Sequence, residues 1–168
     1  MPIDRALFFQ THTKFLRDKL LTWRNGLRLE GKKLIFTNGV FDILHSGHIM
    51  YLEKAHEFGN VLFVGLNSDE SVRRIKGPNR PLSPQQDRAE VLGALRAVDA
   101  LAIFEEDTPL ELIKLVLPDV LIKGADYTRA SIVGADVVEA HGGHVLTVPL
   151  SEGRSTSGIV EKILERYK

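Results

Sequence analysis

Leu34-Ile35-Phe36-Thr37-Asn38-Gly39-Val40-Phe41-Asp42-Ile43-Leu44-His45-Ser46-Gly47-His48 is the stretch from which the rest of the chain is read. The apolar run 34–36 predicts a buried strand. Ile49-Met50-Tyr51-Leu52-Glu53-Lys54-Ala55, directly after the quoted stretch, has the apolar spacing of a helix. Two histidines therefore fall three apart where a strand ends and a helix begins. Free backbone N–H groups and the positive end of the helix dipole favour anions there. Gly47 lets the backbone approach a ligand closely, and imidazole N–H groups of His45 and His48 are placed to meet phosphate oxygens. A zinc site would need carboxylates or further histidines, because the chain has no cysteine. A bare His-x-x-His is not a zinc signature, so no metal ligands are assigned. A pair that merely caps the helix is the structural alternative.

Outward from this stretch, apolar strands alternate with helices. Further strands are predicted at 61–66, 101–104, 120–122 and 145–148. Helices are predicted at 47–58, after Asn67-Ser68-Asp69-Glu70, after Ser83-Pro84, after Thr108-Pro109, at 131–141 and at 155–167. Continuous apolar strands alternating with helices imply an α/β fold, a doubly wound five-stranded parallel sheet covered on both faces. Residues 31–168 form this domain. Residues 1–30 are expected to be an added N-terminal helical extension, with Leu16, Leu20, Trp23 and Leu27 on one stripe. That stripe either covers one side of the domain or, with Trp23 as anchor, forms a dimer contact. A homodimer or higher homo-oligomer is the expected assembly.

Ligands of such sheets bind beyond the carboxyl ends of the strands. The candidates fall there: Thr37 to His48, Asn67 and Asp69, Lys123 to Tyr127, and Glu152 to Ser157. No Gly-x-Gly-x-x-Gly and no Gly-x4-Gly-Lys-Ser/Thr is present. Glu152-Gly153-Arg154-Ser155-Thr156-Ser157 precedes the last helix. Ser155 or Thr156 reads as its N-cap, and the same hydroxyls and N–H groups suit a second phosphate cradle. Between them, 76–84 (Lys-Gly-Pro-Asn-Arg-Pro-Leu-Ser-Pro) is too rich in Pro and Gly to be regular. A hinge at Gly77 beside a stiffened segment suits a lid that carries Lys76 over a bound ligand.

Composition sets the outer limits. The chain has 168 residues, 43% hydrophobic and 26% charged, ordinary for one globular domain with a real core. Lys+Arg and Asp+Glu both number 22, which argues against a dominant nucleic-acid or anionic-membrane surface while leaving room for a local basic pocket. No apolar signal core and no membrane-length apolar run occurs, so the expected location is cytoplasmic.

Thr37 to Asp42 followed by His45-Ser46-Gly47-His48 resembles the nucleotidyltransferase superfamily marked by His-x-Gly-His. Its members have a Rossmann-like fold. Gly65-Leu66-Asn67-Ser68-Asp69-Glu70-Ser71-Val72, Lys76-Gly77-Pro78-Asn79-Arg80-Pro81, Phe104-Glu105-Glu106-Asp107-Thr108-Pro109 and Leu117-Pro118-Asp119-Val120-Leu121-Ile122-Lys123-Gly124-Ala125-Asp126-Tyr127 resemble the heptose 1-phosphate adenylyltransferases. The resemblance implies transfer of AMP from ATP to D-glycero-D-manno-heptose 1-phosphate, giving ADP-heptose and pyrophosphate for lipopolysaccharide core or related glycans. In many bacteria that activity is joined to a sugar kinase. No kinase half is found here, so a stand-alone form is expected. Glycerol-3-phosphate cytidylyltransferase is the near alternative, weakened by Leu150 where that enzyme has arginine. A nucleotide-binding regulatory module without catalysis is the alternative from another class.

The resemblance also implies roles. His45, His48, Lys76 and Arg88 are the implied catalytic residues. Thr37, Asn38, Gly39, Phe41, Gly47, Lys123, Gly124, Asp126, Ser155, Thr156 and Ser157 are the implied nucleotide contacts. Asp42, Asn67, Asp69 and Arg80 are implied for the substrate side, with a structural role for Asp42 equally open. Mg2+ is expected as the partner of ATP, held largely through phosphates and water. ATP and a sugar phosphate are the expected partners.

Overall fold

The computed structural model of the chain describes residues 6–10, 14–149 and 153–167. Its centre is a six-stranded, wholly parallel sheet. In chain order the elements are β1 (Leu7–Gln10), α1 (Lys14–Leu29), β2 (Leu34–Gly39), α2 (Ser46–His56), β3 (Val61–Asn67) and α3 (Asp69–Lys76). They continue with α4 (Gln85–Gly93), β4 (Ala100–Phe104), α5 (Leu110–Val116), β5 (Val120–Gly124), a 3-10 turn (Arg129–Ser131), α6 (Ala135–Ala140), β6 (His144–Val148) and α7 (Thr156–Arg166). The strand order is β1-β4-β3-β2-β5-β6.

Alternate residues of each central strand face opposite layers, as a two-period pleat requires. Leu34 and Phe36 of β2 and Val61 and Phe63 of β3 pack with Leu20 and Leu27 of α1 and Leu112, Ile113 and Val116 of α5. Ile35, Leu62 and Val64 point the other way, onto Tyr51, Leu52 and Ala55 of α2 and Ala89 and Leu92 of α4. Both faces are thus covered, which explains why these strands read as unbroken apolar runs.

The expectation of five strands is corrected to six. The sixth, β1, pairs Leu7 to Gln10 with Ala100 to Ile103 at the edge of the sheet. Residues 7–10, expected to be helical, are therefore a strand, and α1 follows it. The α1 stripe covers one face of the sheet: Leu20 and Leu27 are buried, and Trp23 packs on Phe9 and Phe63 at ring-centroid distances of 5.0 and 5.7 Å. Arg24, 1% exposed, fixes the helix in place. It donates to the carbonyls of Val116 and Leu117 at 2.9 and 3.0 Å and to the Asp119 carboxylate at 2.9 Å. That carboxylate also accepts from the N–H of Leu34, at the start of β2.

The strand order places the switch point between β2 and β5. From β2 the chain winds one way through β3 and β4, then returns to the other side of β2. The crevice beyond the carboxyl ends of β2 and β5 is where a doubly wound sheet can admit a ligand.

Candidate active site

A cavity of about 610 Å3 opens at that crevice, and a second lobe of about 410 Å3 adjoins it. Asn38, His48, Lys76, Lys123, Ser155 and Thr156 are among the residues that wall both. The carboxyl ends of two strands and the N-termini of two helices thus converge on one space.

The α2 wall carries the histidines. His45 is the N-cap of α2 with extended backbone (φ −142°, ψ 167°), and its side chain makes no capping bond. The capping alternative therefore does not describe this pair. The two rings stack, with centroids 3.9 Å apart and planes 25° apart, and His48 meets the Phe41 ring at 5.3 Å. Nδ1 of each ring is buried without a hydrogen-bond partner. Burial, reinforced by the neighbouring His45, pushes His48 down to about 4. Burial and then Arg154 lower His45. Both imidazoles are thus neutral near pH 7, so unliganded they are dipolar N–H donors rather than standing cations.

Gly47 serves this pair directly. A Cβ there would lie 3.0 Å from Nδ1 of His45 and 3.3 Å from Cβ of Arg154. The glycine gives room to the His45 ring. Phe41 sits in the left-handed region at φ 46°, rare for a residue with a side chain. Its neighbours hold it there: the Val40 carbonyl accepts from Arg88 at 2.6 Å, and Asp42 is anchored as described below. Gly39 lies under the Phe41 ring, which leaves only 2.9 Å to a Cβ at that position.

The α7 wall carries the hydroxyls. Ser155 is the N-cap, its Oγ accepting from the N–H of Gly158 at 3.0 Å. Thr156 Oγ1 donates to the Ile43 carbonyl at 3.3 Å, tying α7 to the loop before α2. Ser157 also lines the larger lobe. The capping role is real, and it leaves the same residues on the cavity wall. Glu152 and Leu150, both used in the sequence reading, lie outside the described residues.

The cations divide into two sets. Lys76, exposed at the end of α3, lines both lobes, and no hydrogen bond or ion pair among the described residues engages its ammonium. Lys123, at the end of β5, is 8% exposed and donates to the Asn38 carbonyl at 3.3 Å. Arg80 lines the larger lobe but is paired with Asp42 at 2.7 Å. Arg88, expected to meet phosphates, lines neither lobe. It is 2% exposed, and it donates to the carbonyls of Ser83 and Val40 and to Asp69 at 3.0, 2.6 and 2.7 Å. In this structure it is an internal strut.

Several expected ligand contacts are likewise committed inside the protein. Asp42 accepts from the N–H groups of Leu82 and Ser83 at 2.9 Å and pairs with Arg80, so its carboxylate fastens the loop while also lining the larger lobe. Asp69 holds Arg88 and lines neither lobe. Thr37 shares a 2.7 Å hydrogen bond with the Tyr51 hydroxyl and is fully buried behind the site. Asn67 donates to Ser71 Oγ at 3.0 Å while lining the larger lobe. Gly124 and Asp126 line the smaller lobe.

Among the wall residues given no specific role from sequence are Arg154 and Tyr127, which fell within the candidate ranges, and Thr108, which did not. Arg154 lines the smaller lobe and donates to Ser46 at the start of α2. Its signal was its place beside a Ser/Thr-rich helix start. Tyr127 lines both lobes with its ring 5.2 Å from the Lys123 ammonium, and Thr108 lines the larger lobe. Tyr127 was marked by its place just beyond the end of a strand, whereas nothing in the local pattern marks Thr108.

No group of three or more His, Asp or Glu among the described residues is placed to hold a metal ion. Among them, too, no helix is long and apolar enough to cross a membrane.

The family model described as cytidylyltransferase-like matches residues 36–149. A bifunctional protein HldE of Syntrophotalea carbinolica is 52% identical over 153 residues, 91% of this chain and 31% of that protein. The HldE of Geobacter metallireducens is 54% identical over 140 residues, 83% of this chain and 29% of that one. The chain thus spans about a third of the length of these relatives. Among solved structures, a lipopolysaccharide core biosynthesis protein from Thermoplasma volcanium is 28% identical with TM-score 0.59, covering 74% of this chain and 100% of that one. Pantoate-beta-alanine ligase from Francisella tularensis, at 17% identity and TM-score 0.60 over 90% of this chain and 69% of that one, shares the fold.

Proposed function

The chain belongs to the cytidylyltransferase-like family, and on that premise we propose that it transfers AMP from MgATP to D-glycero-D-manno-heptose 1-phosphate, giving ADP-heptose and pyrophosphate. One observation carries the reading. Two helix N-termini, one bearing a stacked pair of neutral histidines and the other Ser155 and Thr156, face one cavity that also contains two lysines without carboxylate partners. Such a set suits a polyphosphate. Identity above 50% to HldE proteins supports the heptose branch over glycerol-3-phosphate cytidylyltransferase.

The reaction needs no covalent enzyme intermediate. A phosphate oxygen of the acceptor attacks the α-phosphorus of ATP, the bond from that phosphorus to the bridging oxygen breaks, and pyrophosphate leaves. The protein holds the two reactants in line and stabilises charge on the phosphoryl oxygens. His45 and His48 donate to the phosphates from α2, and Ser155, Thr156 and Arg154 receive the β- and γ-phosphates at α7. Lys76 swings in from the end of α3. The divalent cation arrives with the nucleotide, carried by phosphates and water. Asn67 and Thr108 line the remaining space with groups suited to sugar hydroxyls.

The test is a pyrophosphate-release screen of ATP and CTP against heptose 1-phosphates and glycerol 3-phosphate. The expected result is highest kcat/KM for ATP with a heptose 1-phosphate, and a loss of roughly 100-fold in kcat for His45→Ala or His48→Ala, the scale of removing one preorganised donor. Equal or higher kcat/KM with CTP overturns the choice of nucleotide. Near wild-type turnover in both variants overturns the histidine roles.

A further inference from the structure

The proposed reaction brings two anions together, and the cations that offset their repulsion are few. Arg80 is neutralised by Asp42 and Arg88 by Asp69. Among the described cavity-lining residues this leaves Arg154, Lys76 and Lys123 without a carboxylate partner. Arg154 stands beside the α2 N-terminus in the smaller lobe, with the nucleotide's phosphate cradle. Lys76 is exposed at the rim.

Lys123 differs from both. It is 92% buried, given its 8% exposure, and sits on the cavity floor at the end of β5, next to β2, at the switch point of the sheet. Among the described residues its ammonium has one hydrogen bond, a 3.3 Å contact to the Asn38 carbonyl, with the Tyr127 ring at 5.2 Å and the Asp126 charge nearby. An ammonium carries three donors, and burying it with so few partners is costly unless a ligand completes them. It walls both lobes, within reach of a ligand in either. The nucleotide's outer phosphates already have the two helix N-termini.

We propose that Lys123 anchors the phosphate of the acceptor, gripping it from the floor and holding its oxygen in line with the α-phosphorus. This rests on the adenylyl-transfer reading above and moves Lys123 from the nucleotide to the second, anionic substrate. Burial pushes the Lys123 ammonium down to about 8, opposed by Asp126. The other titratable and charged groups on the surrounding walls are Tyr51, Tyr127, His45, His48, Lys76, Arg80, Arg154, Asp42 and Asp107. The acceptor KM accordingly rises above about pH 8 as the ammonium loses its proton, while acceptor binding itself favours the charged form.

The test is steady-state kinetics of Lys123→Met and Lys123→Arg with each substrate varied in turn, on protein whose urea unfolding midpoint matches wild type. The expected result for Lys123→Met is an acceptor KM raised about tenfold or more, the scale of a lost charge-assisted hydrogen bond, with the ATP KM little changed. Lys123→Arg recovers part of the loss. Equal rises in both KM values, or no rise in either, overturn the proposal. Absence of wild-type turnover on every sugar phosphate would instead sink the reaction reading. Calorimetry then decides Lys123 alone, with inorganic phosphate titrated into protein preloaded with a non-hydrolysable ATP analogue. Phosphate binding by wild type that is lost in Lys123→Met supports the anchor. Equal binding by both, or none by wild type, overturns it.

Discussion

The Arg88 guanidinium donates to the Val40 carbonyl at 2.6 Å, joining α4 to the strained turn that leads into the histidines. Its other nitrogens reach the Ser83 carbonyl and the Asp69 carboxylate, so one side chain couples three segments around the cavity. Because Arg88 is buried, losing it strands Asp69 and two carbonyls together. Arg88→Ala is therefore expected to destabilise the fold by roughly 3–5 kcal/mol, the range for removing one partner of a buried ion pair. Arg88→Lys should recover only a fraction, since one ammonium cannot span three acceptors in that geometry. Urea unfolding measures both. A loss under about 1 kcal/mol in Arg88→Ala would mean that the strut carries little of the stability.

The segment after α3 is fastened by side chains at its far end, while at its near end the backbone N–H of Gly77 bonds back to the Arg73 carbonyl. Asp42 fixes the N–H groups of Leu82 and Ser83, whereas Gly77, at φ 96°, has open space where a Cβ would stand. Because Arg80 is also paired with Asp42, the expected lid would be confined to residues 76–79, with its hinge at Gly77. Amide hydrogen exchange should show Leu82 and Ser83 protected without ligand, and Asn79 slowing only when ATP and acceptor are both bound. Lys76→Ala should lower kcat far more than it weakens ATP binding, because its contact forms in the closed state. Unchanged kcat in this variant, or exchange at Asn79 indifferent to ligands, would leave Lys76 a solvated surface residue.

The histidine pair predicts a pH dependence of stability. His48 titrates near 6.5 when unfolded and at about 4 when folded, because burial disfavours its charged form. Between those values the unfolded chain binds more protons, so stability rises with pH across that window. The contribution is fully present above about 6.5 and is lost as pH falls towards 4. His45, lowered for the same first reason, acts in the same direction. Thermal unfolding from pH 4 to 7 should give a shallower slope for His48→Gln than for wild type. Identical slopes would show that the ring is not desolvated in the folded state.

The sequence carried the layout of the site better than the duties of its charged residues. The unbroken apolar runs 34–36 and 61–66 are strands buried on both faces, and the two helix starts after β2 and β6 were marked by His-Ser-Gly-His and Ser-Thr-Ser. β1 escaped because Leu7-Phe8-Phe9 is short and its partner β4 lies about ninety residues on, a tertiary pairing without local trace. Arg88 has the side chain of a phosphate ligand yet is consumed inside the protein, and Asp42, although on the cavity wall, is tied to Arg80 and to the Leu82 and Ser83 N–H groups. Residue type does not tell a ligand from a strut; only the placement of the Val40 carbonyl and the Leu82 N–H does. Thr37, at the mouth of the motif, points back to Tyr51 for the same reason.

The central claim is transfer of AMP at the α-phosphorus to a sugar 1-phosphate. Its most direct measurement is 31P NMR of the protein with MgATP and D-glycero-D-manno-heptose 1-phosphate. The account predicts loss of the sugar phosphate signal and equal growth of pyrophosphate and of the coupled doublets of a sugar nucleotide diphosphate. Appearance of ADP with a newly phosphorylated sugar, or a spectrum unchanged over many hours at high protein concentration, would contradict it.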